Sequence, residues 1–265
     1  MTAPERAAEP SITALTVSYD GAAFHGFARQ DGPVTVQASL EEALRVALRR
    51  EVATVGAGRT DAGVHALGQV VTYPGDPRDP GPASLLRSLN ALCRPSIVVT
   101  DARRAAPAFD ARLSAVAREY RYRLVTGSVP PLFLARTAWW LKGSLDLGAM
   151  REGAQALVGE HDFRSFCVSE SAEGRRTVRD IELLDIAPGT EMGEHCITVR
   201  VVGRSFLHSM VRIVVGTLVE VGRGRHPAAW VGEALEARCR AAAGPTAPAH
   251  GLTLWHVGYP DEFWL

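Results

Sequence analysis

The chain has 265 residues, of which 46% are hydrophobic and 22% charged, with 29 basic side chains balancing 29 acidic ones. That composition fits one large domain or two modest ones sharing a core, and it excludes a disordered chain or a basic tail protein. No apolar run approaches the ~20 residues a membrane helix needs. Met1 to Pro10 (MTAPERAAEP) is acidic and rich in Pro and Ala, unlike a secretory signal, and reads as a disordered tail over 1–10. Thr13 to Tyr19 is then a β-rich strand. Val36 to Arg50 is an amphipathic helix with Val36, Leu40, Leu44 and Leu48 on one face and Thr35 as N-cap. Gly68 to Tyr73 is a strand, Pro74 to Pro82 a loop, Pro82 to Cys93 a helix and Ile97 to Ala102 a strand. These make an α+β half over 11–106.

A second half, 107–265, opens near Pro107. Ala117 to Thr126 (AREYRYRLVT) alternates as a strand, with Tyr120, Tyr122 and Leu124 on one face and Arg121, Arg123 and Val125 on the other. Asp146 to Val158 reads as a helix, Thr177 to Ile186 and Cys196 to Val202 as strands. His208 to Val221 and Pro227 to Ala243 read as helices, and Leu252 to Val257 as a closing strand. The shared β-α-β rhythm predicts two related α+β subdomains side by side with a cleft between them.

The four cysteines, Cys93, Cys167, Cys196 and Cys239, have no metal or redox spacing and read as reduced thiols of a cytoplasmic protein. Lys142 is the only lysine. Two segments are strongly basic: Arg112, Arg118, Arg121, Arg123, Arg136 and Lys142 against Glu119, then Arg200, Arg204, Arg212, Arg223 and Arg225 against Glu220. Such stretches occur in nucleic-acid binders, although charge alone favours scattered solvated arginines.

Chemistry concentrates in VGAGRTDAGVHALGQVV, Val55 to Val71, where Asp61 lies among glycines two residues after Arg59. Gly56, Gly58 and Gly63 do not have phosphate-loop spacing, and no G-K-[ST] follows. They read instead as freedom for unusual backbone angles around Asp61. No other Asp, Glu or His stands at ligand spacing, a glycosidase would want a second carboxylate, and no G-x-S-x-G is present. Taken alone, Asp61 reads most simply as a turn aspartate bonding its own backbone.

GRTDAGVHALGQVV (Gly58–Val71) resembles the signature of the tRNA pseudouridine synthase A family. Five further segments resemble that family in order: SYDGAAFHGFARQ (Ser18–Gln30), ARLSAVAREYRY (Ala111–Tyr122), LVGEHDFRSF (Leu157–Phe166), RSFLHSMVRIVVG (Arg204–Gly216) and GLTLWHVGYP (Gly251–Pro260). The resemblance implies the pseudouridine-synthase fold, α+β, with two ferredoxin-like (RRM-like) halves sharing an extended, mainly antiparallel sheet around a central cleft. It implies that Asp61 is the catalytic aspartate, Arg59 a motif arginine acting on the RNA, and Tyr120 the aromatic against the target uracil. Arg212 is implied as the partner of the aspartate, and Leu252 as an apolar wall of the uracil pocket. RNA contacts are expected from Arg29, Gln30, His65, Arg112, Arg121 and His208. The implied protein is a cytoplasmic homodimer with one tRNA crossing both subunits, working at positions 38, 39 and 40 without metal or cofactor. Phe27-Ala28 departs from the family's W-x in G-W-x-R-Q, and Ser209 replaces a frequent second histidine.

One carboxylate suffices for the implied reaction, which cuts C1′–N1, turns the uracil and rejoins it through C5. Asp61 could attack C1′ or uracil C6, or take the 2′ proton. The Tyr120 hydroxyl could serve a proton step. A non-catalytic RRM-like RNA binder is the competing class; it lacks the RNP1 string and gives Asp61 no task.

Overall fold

The computed structural model describes residues 11–265; the tail expected over 1–10 lies outside the described residues. The first half holds β1 (Ser11–Tyr19), α1 (Val36–Leu48), β2 (Val55–Gly56), β3 (His65–Gly75), α2 (Pro82–Cys93) and β4 (Ile97–Ala105). The α1 face is the one its periodicity predicts: Val36, Leu40, Ala43 and Leu44 are buried. Thr35 caps it by accepting the Ala38 amide at 3.4 Å, and Arg49 ends it in a left-handed conformation at φ 55°.

The second half holds β5 (Ala117–Gly127), β6 (Trp139–Lys142), α3 (Leu147–Gln155), β7 (Gly159–Asp162), α4 (Ser169–Ala172), β8 (Val178–Glu191), β9 (Glu194–Gly203), α5 (Met210–Gly222), α6 (Trp230–Glu236) and β10 (Leu252–Gly258). Asp146 caps α3 through the Ala149 amide at 3.0 Å. α5 is apolar on nearly all sides and buried along almost its whole length, which makes it a core helix.

All the strands form one sheet, ordered β4-β1-β3-β10-β5-β9-β8-β7, with β2 added to β3 and β6 to β5. Pairing along that path is antiparallel except at the join, where β10 lies parallel to β3 with Thr253 opposite His65 and Leu254 opposite Ala66. The closing strand therefore sits between the halves. A single core runs beneath the join, from Leu15, Val17 and Leu40 in the first half to Tyr122, Val199, Val201 and Ile213 in the second. Beyond β10 the chain crosses back, and Phe109 packs within 4.9–5.3 Å of the rings of Tyr259, Phe263 and Trp264. Among the described residues no helix is long and apolar enough to cross a membrane.

Predicted helices differ in extent. The one expected over Asp146–Val158 runs over Leu147–Gln155. The one expected over Pro227–Ala243 is α-helical only at Trp230–Glu236, with a 3-10 turn at Arg240–Ala242, because Arg238 turns left-handed (φ 47°) and Cys239 is extended, its amide donating to Ser165 Oγ at 2.8 Å. The one expected from His208 starts at Met210, because Ser209 is itself left-handed (φ 58°). The short elements β2, β6, β7 and α4, two to four residues each, carry too little periodicity to stand out in sequence.

Candidate active site

Asp61 lies on the loop between β2 and β3, at the join of the halves. The loop is held mainly by its backbone. Phe27 N donates to the Thr60 carbonyl at 3.1 Å, Gln69 Nε2 to the Gly58 carbonyl at 2.8 Å, and Val64 N to the Asp61 carbonyl at 3.1 Å. The Thr60 side chain points inward and shares a 2.8 Å hydrogen bond with Tyr19 Oη. Alternation then turns Arg59 and Asp61 to the side opposite Thr60, Arg59 exposed and Asp61 half-buried. Of the three glycines noted in sequence, only Gly63 uses the left-handed region (φ 79°). Gly56 is needed for another reason: the Phe27 ring occupies the space a Cβ would take.

Among the described residues, the hydrogen-bonding and ion-pair partners of the Asp61 side chain come from the other half. Arg212, in the first turn of α5, donates from Nη1 to Oδ2 at 2.7 Å, while its Nε is fixed on the Ala247 carbonyl at 2.8 Å. Ser209 Oγ donates to the same oxygen at 2.7 Å. His208 Nε2 lies 3.5 Å from Oδ1, and its side chain is 53% exposed. The carboxylate is 20% exposed and its Arg212 partner 18%, so the pair is half-sheltered and open on one side. A turn aspartate bonding its own backbone would not have these partners.

Tyr120 is buried on β5, edge-on to Phe206 with ring centres 5.2 Å apart. Its hydroxyl faces Gly58, where an added Cβ would lie 3.9 Å away. Burial pushes the phenol up to about 12, with Arg118 pulling it down and Asp61 pushing it up. At neutral pH the group is a protonated donor. Tyr122, two residues on, donates its hydroxyl to the Pro248 carbonyl at 2.8 Å and is structural. Leu252 opens β10 opposite Tyr122 and is buried.

Arg118 was counted in sequence only as one charge in a basic segment. It is buried and has no carboxylate partner among the described residues. Its guanidinium donates to the carbonyls of Ala57 (3.1 Å from Nε, 2.6 Å from Nη2), Arg112 (2.9 Å) and Arg204. One cation thus ties the Asp61 loop to the segments before β5 and after β9. Arg59, Arg112 and Arg204, near those carbonyls, are exposed and have no carboxylate partner among the described residues.

The remaining residues expected at the RNA fall into different places. Arg29 pairs with Glu41 (Nε–Oε2 2.8 Å) and Gln30 Nε2 donates to the His25 carbonyl at 3.0 Å; both side chains are exposed. Arg121 differs from its expected role. It points to the sheet face opposite Tyr120, bonds Glu119 at 2.7 Å and stacks over Trp255 at 3.9 Å. His65 differs too. Its ring is buried in β3, accepting the Gly21 amide at Nδ1 (3.1 Å), with Nε2 3.2 Å from the Arg136 carbonyl. Burial pushes its pKa down, so it is a neutral structural histidine. Several arginines of the basic segments are paired, Arg123 with Glu191, Arg200 with Glu119, and Arg225 with Glu220.

A family model described as tRNA pseudouridine synthase matches residues 15–112 and 154–260. A protein named tRNA pseudouridine synthase A from Burkholderia thailandensis is 44% identical over 250 residues, 94% of this chain and 90% of that one. Its namesake from Paraburkholderia phymatum is 44% identical over 94% of this chain and 91% of its own length. Among solved structures, a chain from a Cbf5-Nop10-Gar1 complex is similar at 16% identity and TM-score 0.34, over 78% of this chain and 45% of that one, a likeness too slight to carry argument. With the match spanning both halves and the Asp61 loop, the chain belongs to the tRNA pseudouridine synthase family.

Proposed function

We propose that this isomerase converts uridine to pseudouridine at positions 38, 39 and 40 of the anticodon arm of tRNA, with Asp61 as the essential carboxylate. The observation that carries the reading is the Asp61 carboxylate held at 2.7 Å by Arg212 across the join, on the loop whose Gly58 the buried Tyr120 hydroxyl faces. Arg212 orients the carboxylate in a half-sheltered site. A target base in a stem must be extruded, which costs a few kcal/mol and is offset by stacking and backbone contacts. Tyr120 and Leu252 then flank the uracil.

The reaction breaks C1′–N1, forms C1′–C5, releases the C5 proton and gives one to N1, so no electrons are gained or lost. Asp61 serves as nucleophile at C1′ or C6, or as base at the 2′ carbon. Tyr120 carries a proton late in the reaction. Arg59 fills space vacated by the base. Arg112, Arg29, Gln30 and His208 meet the RNA, and the exposed Arg204 joins them as a phosphate contact. The working unit is a cytoplasmic homodimer, one tRNA crossing both subunits, with no cofactor.

The test uses tRNA tritiated at uracil C5. Release of tritium is expected with wild-type protein, and its absence with folded protein and a suitable tRNA would overturn the reading.

A further inference from the structure

The two oxygens of the Asp61 carboxylate are bonded unequally. Oδ2 accepts two hydrogen bonds, from Ser209 Oγ and Arg212 Nη1, both at 2.7 Å. Oδ1 accepts none among the described residues, and Nε2 of the exposed His208 ring lies 3.5 Å from it. Ser209 occupies the N-cap position of α5, where a serine ordinarily accepts a helix amide. Here it makes no such cap bond. Its backbone is left-handed (φ 58°, ψ 12°), uncommon for a residue with a side chain, and this turns the hydroxyl to a carboxylate 148 residues away in sequence.

We propose that Ser209 is a positioning residue for the isomerisation: with Arg212 it holds Oδ2, so that Oδ1 is the oxygen that meets the substrate. The inference rests on Asp61 being the reacting carboxylate. A single donor leaves a carboxylate free to swing about its terminal torsion. Two donors at one oxygen restrict the plane of the group as well as its position. The second oxygen then stays unbonded and available to the substrate. This holds whether Asp61 acts as nucleophile or as base, since either needs one oxygen free and aimed.

The test compares three substitutions. Ser209→Ala keeps the backbone demand and removes the hydroxyl. Ser209→Gly removes both the hydroxyl and the left-handed strain. Ser209→Asn tolerates the left-handed region and carries a donor. Single-turnover rates on C5-tritiated tRNA are measured with saturating enzyme, and Kd for the same tRNA separately. Ser209→Ala and Ser209→Gly should both slow the step by roughly 10- to 100-fold with Kd changed less than about twofold, and Ser209→Asn should be several-fold faster than Ser209→Ala. A wild-type rate in Ser209→Gly, or an Asn variant no faster than Ala, overturns the proposal, because backbone strain or mere packing would then explain the serine. Should Ser209→Ala fold poorly, the Gly and Asn variants decide alone. Asp61→Asn in the same assay separates the layers: turnover there refutes the carboxylate reading itself, whereas an inactive Asp61→Asn beside an unimpaired Ser209→Gly refutes only the serine.

Discussion

The two halves contribute to the site in opposite ways. The first half supplies one carboxylate and holds its backbone, through Phe27, Tyr19–Thr60 and Gln69. The second supplies the donors that hold its side chain, Arg212 and Ser209, and the buried ring of Tyr120. Neither half alone has both the Asp61 carboxylate and the donors that orient it. The site is a property of the joint, and mutations on the two sides should fail differently.

The largest effect is expected on the first half's single contribution. Asp61→Asn keeps shape but removes charge and basicity, and turnover should fall by about 10⁴-fold or more while tRNA affinity stays within a few-fold. Tritium release by purified variant, free of host enzyme, measures this. Arg212→Ala strikes the same contact from the other side and should slow the reaction by roughly 10²–10³-fold, again with little change in Kd. Arg212→Lys should recover only part, because an ammonium cannot hold both Oδ2 and the Ala247 carbonyl in one fixed plane. Equal rates for Lys and Arg would show that charge alone matters.

Tyr120 separates holding from chemistry. Tyr120→Phe keeps the flat face and should bind tRNA almost normally while losing about 10²-fold in single turnover. Tyr120→Leu should in addition weaken binding, by about 1–3 kcal/mol if the uracil stacks on the ring. Full turnover in Tyr120→Phe would remove the proton role.

Arg118 belongs to both sides, and its loss should appear in stability first. Arg118→Met strands three buried or half-buried carbonyls and should cost about 3 kcal/mol in urea unfolding. An unchanged midpoint would mean that water replaces the guanidinium. The smallest effect concerns His65 at the join. Its buried ring resists protonation, so its pKa in the folded state lies below the ordinary value of 6.5. Above 6.5 the ring is neutral folded or unfolded. As pH falls below 6.5, the unfolded chain takes up a proton the folded one refuses, and stability drops. Thermal melts at pH 7.5 and 5.5 should show a smaller loss for His65→Gln than for wild type.

Much of this was legible in sequence where local periodicity and core position agree. α1, α2, β1 and β5 follow from their apolar spacing, and α2 spans Pro82–Cys93 as the sequence predicts. Asp61 and Arg212 could be named as partners only through resemblance, because 151 residues separate them. Arg118 had a readable signal that the charge count obscured. It shares the strand face of Tyr120 and Tyr122, and alternation alone places it inside. His65 and Arg121 went the other way: a histidine and an arginine near the signature segments suggest RNA, but strand register buries one and turns the other to the far face. Ser209 had no readable signal, since a left-handed serine that declines to cap its own helix is fixed by tertiary contacts.

The placement of β10 bears on how the protein is made. About 180 residues separate the end of β3 from the start of β10. At about 5–20 residues per second, a nascent β3 waits roughly 10–35 s on the ribosome before the strand that joins it to the second half emerges. During that wait an unpaired strand edge is open to wrong partners. β2 covers part of it, pairing with β3 at Val71 and Thr72, so the stretch left bare is the one around His65 and Ala66 that β10 later takes. The enzyme's birth is thereby ordered: translation through residues 252–258 sets the earliest moment at which β10 can close the joint that brings Asp61 to Arg212.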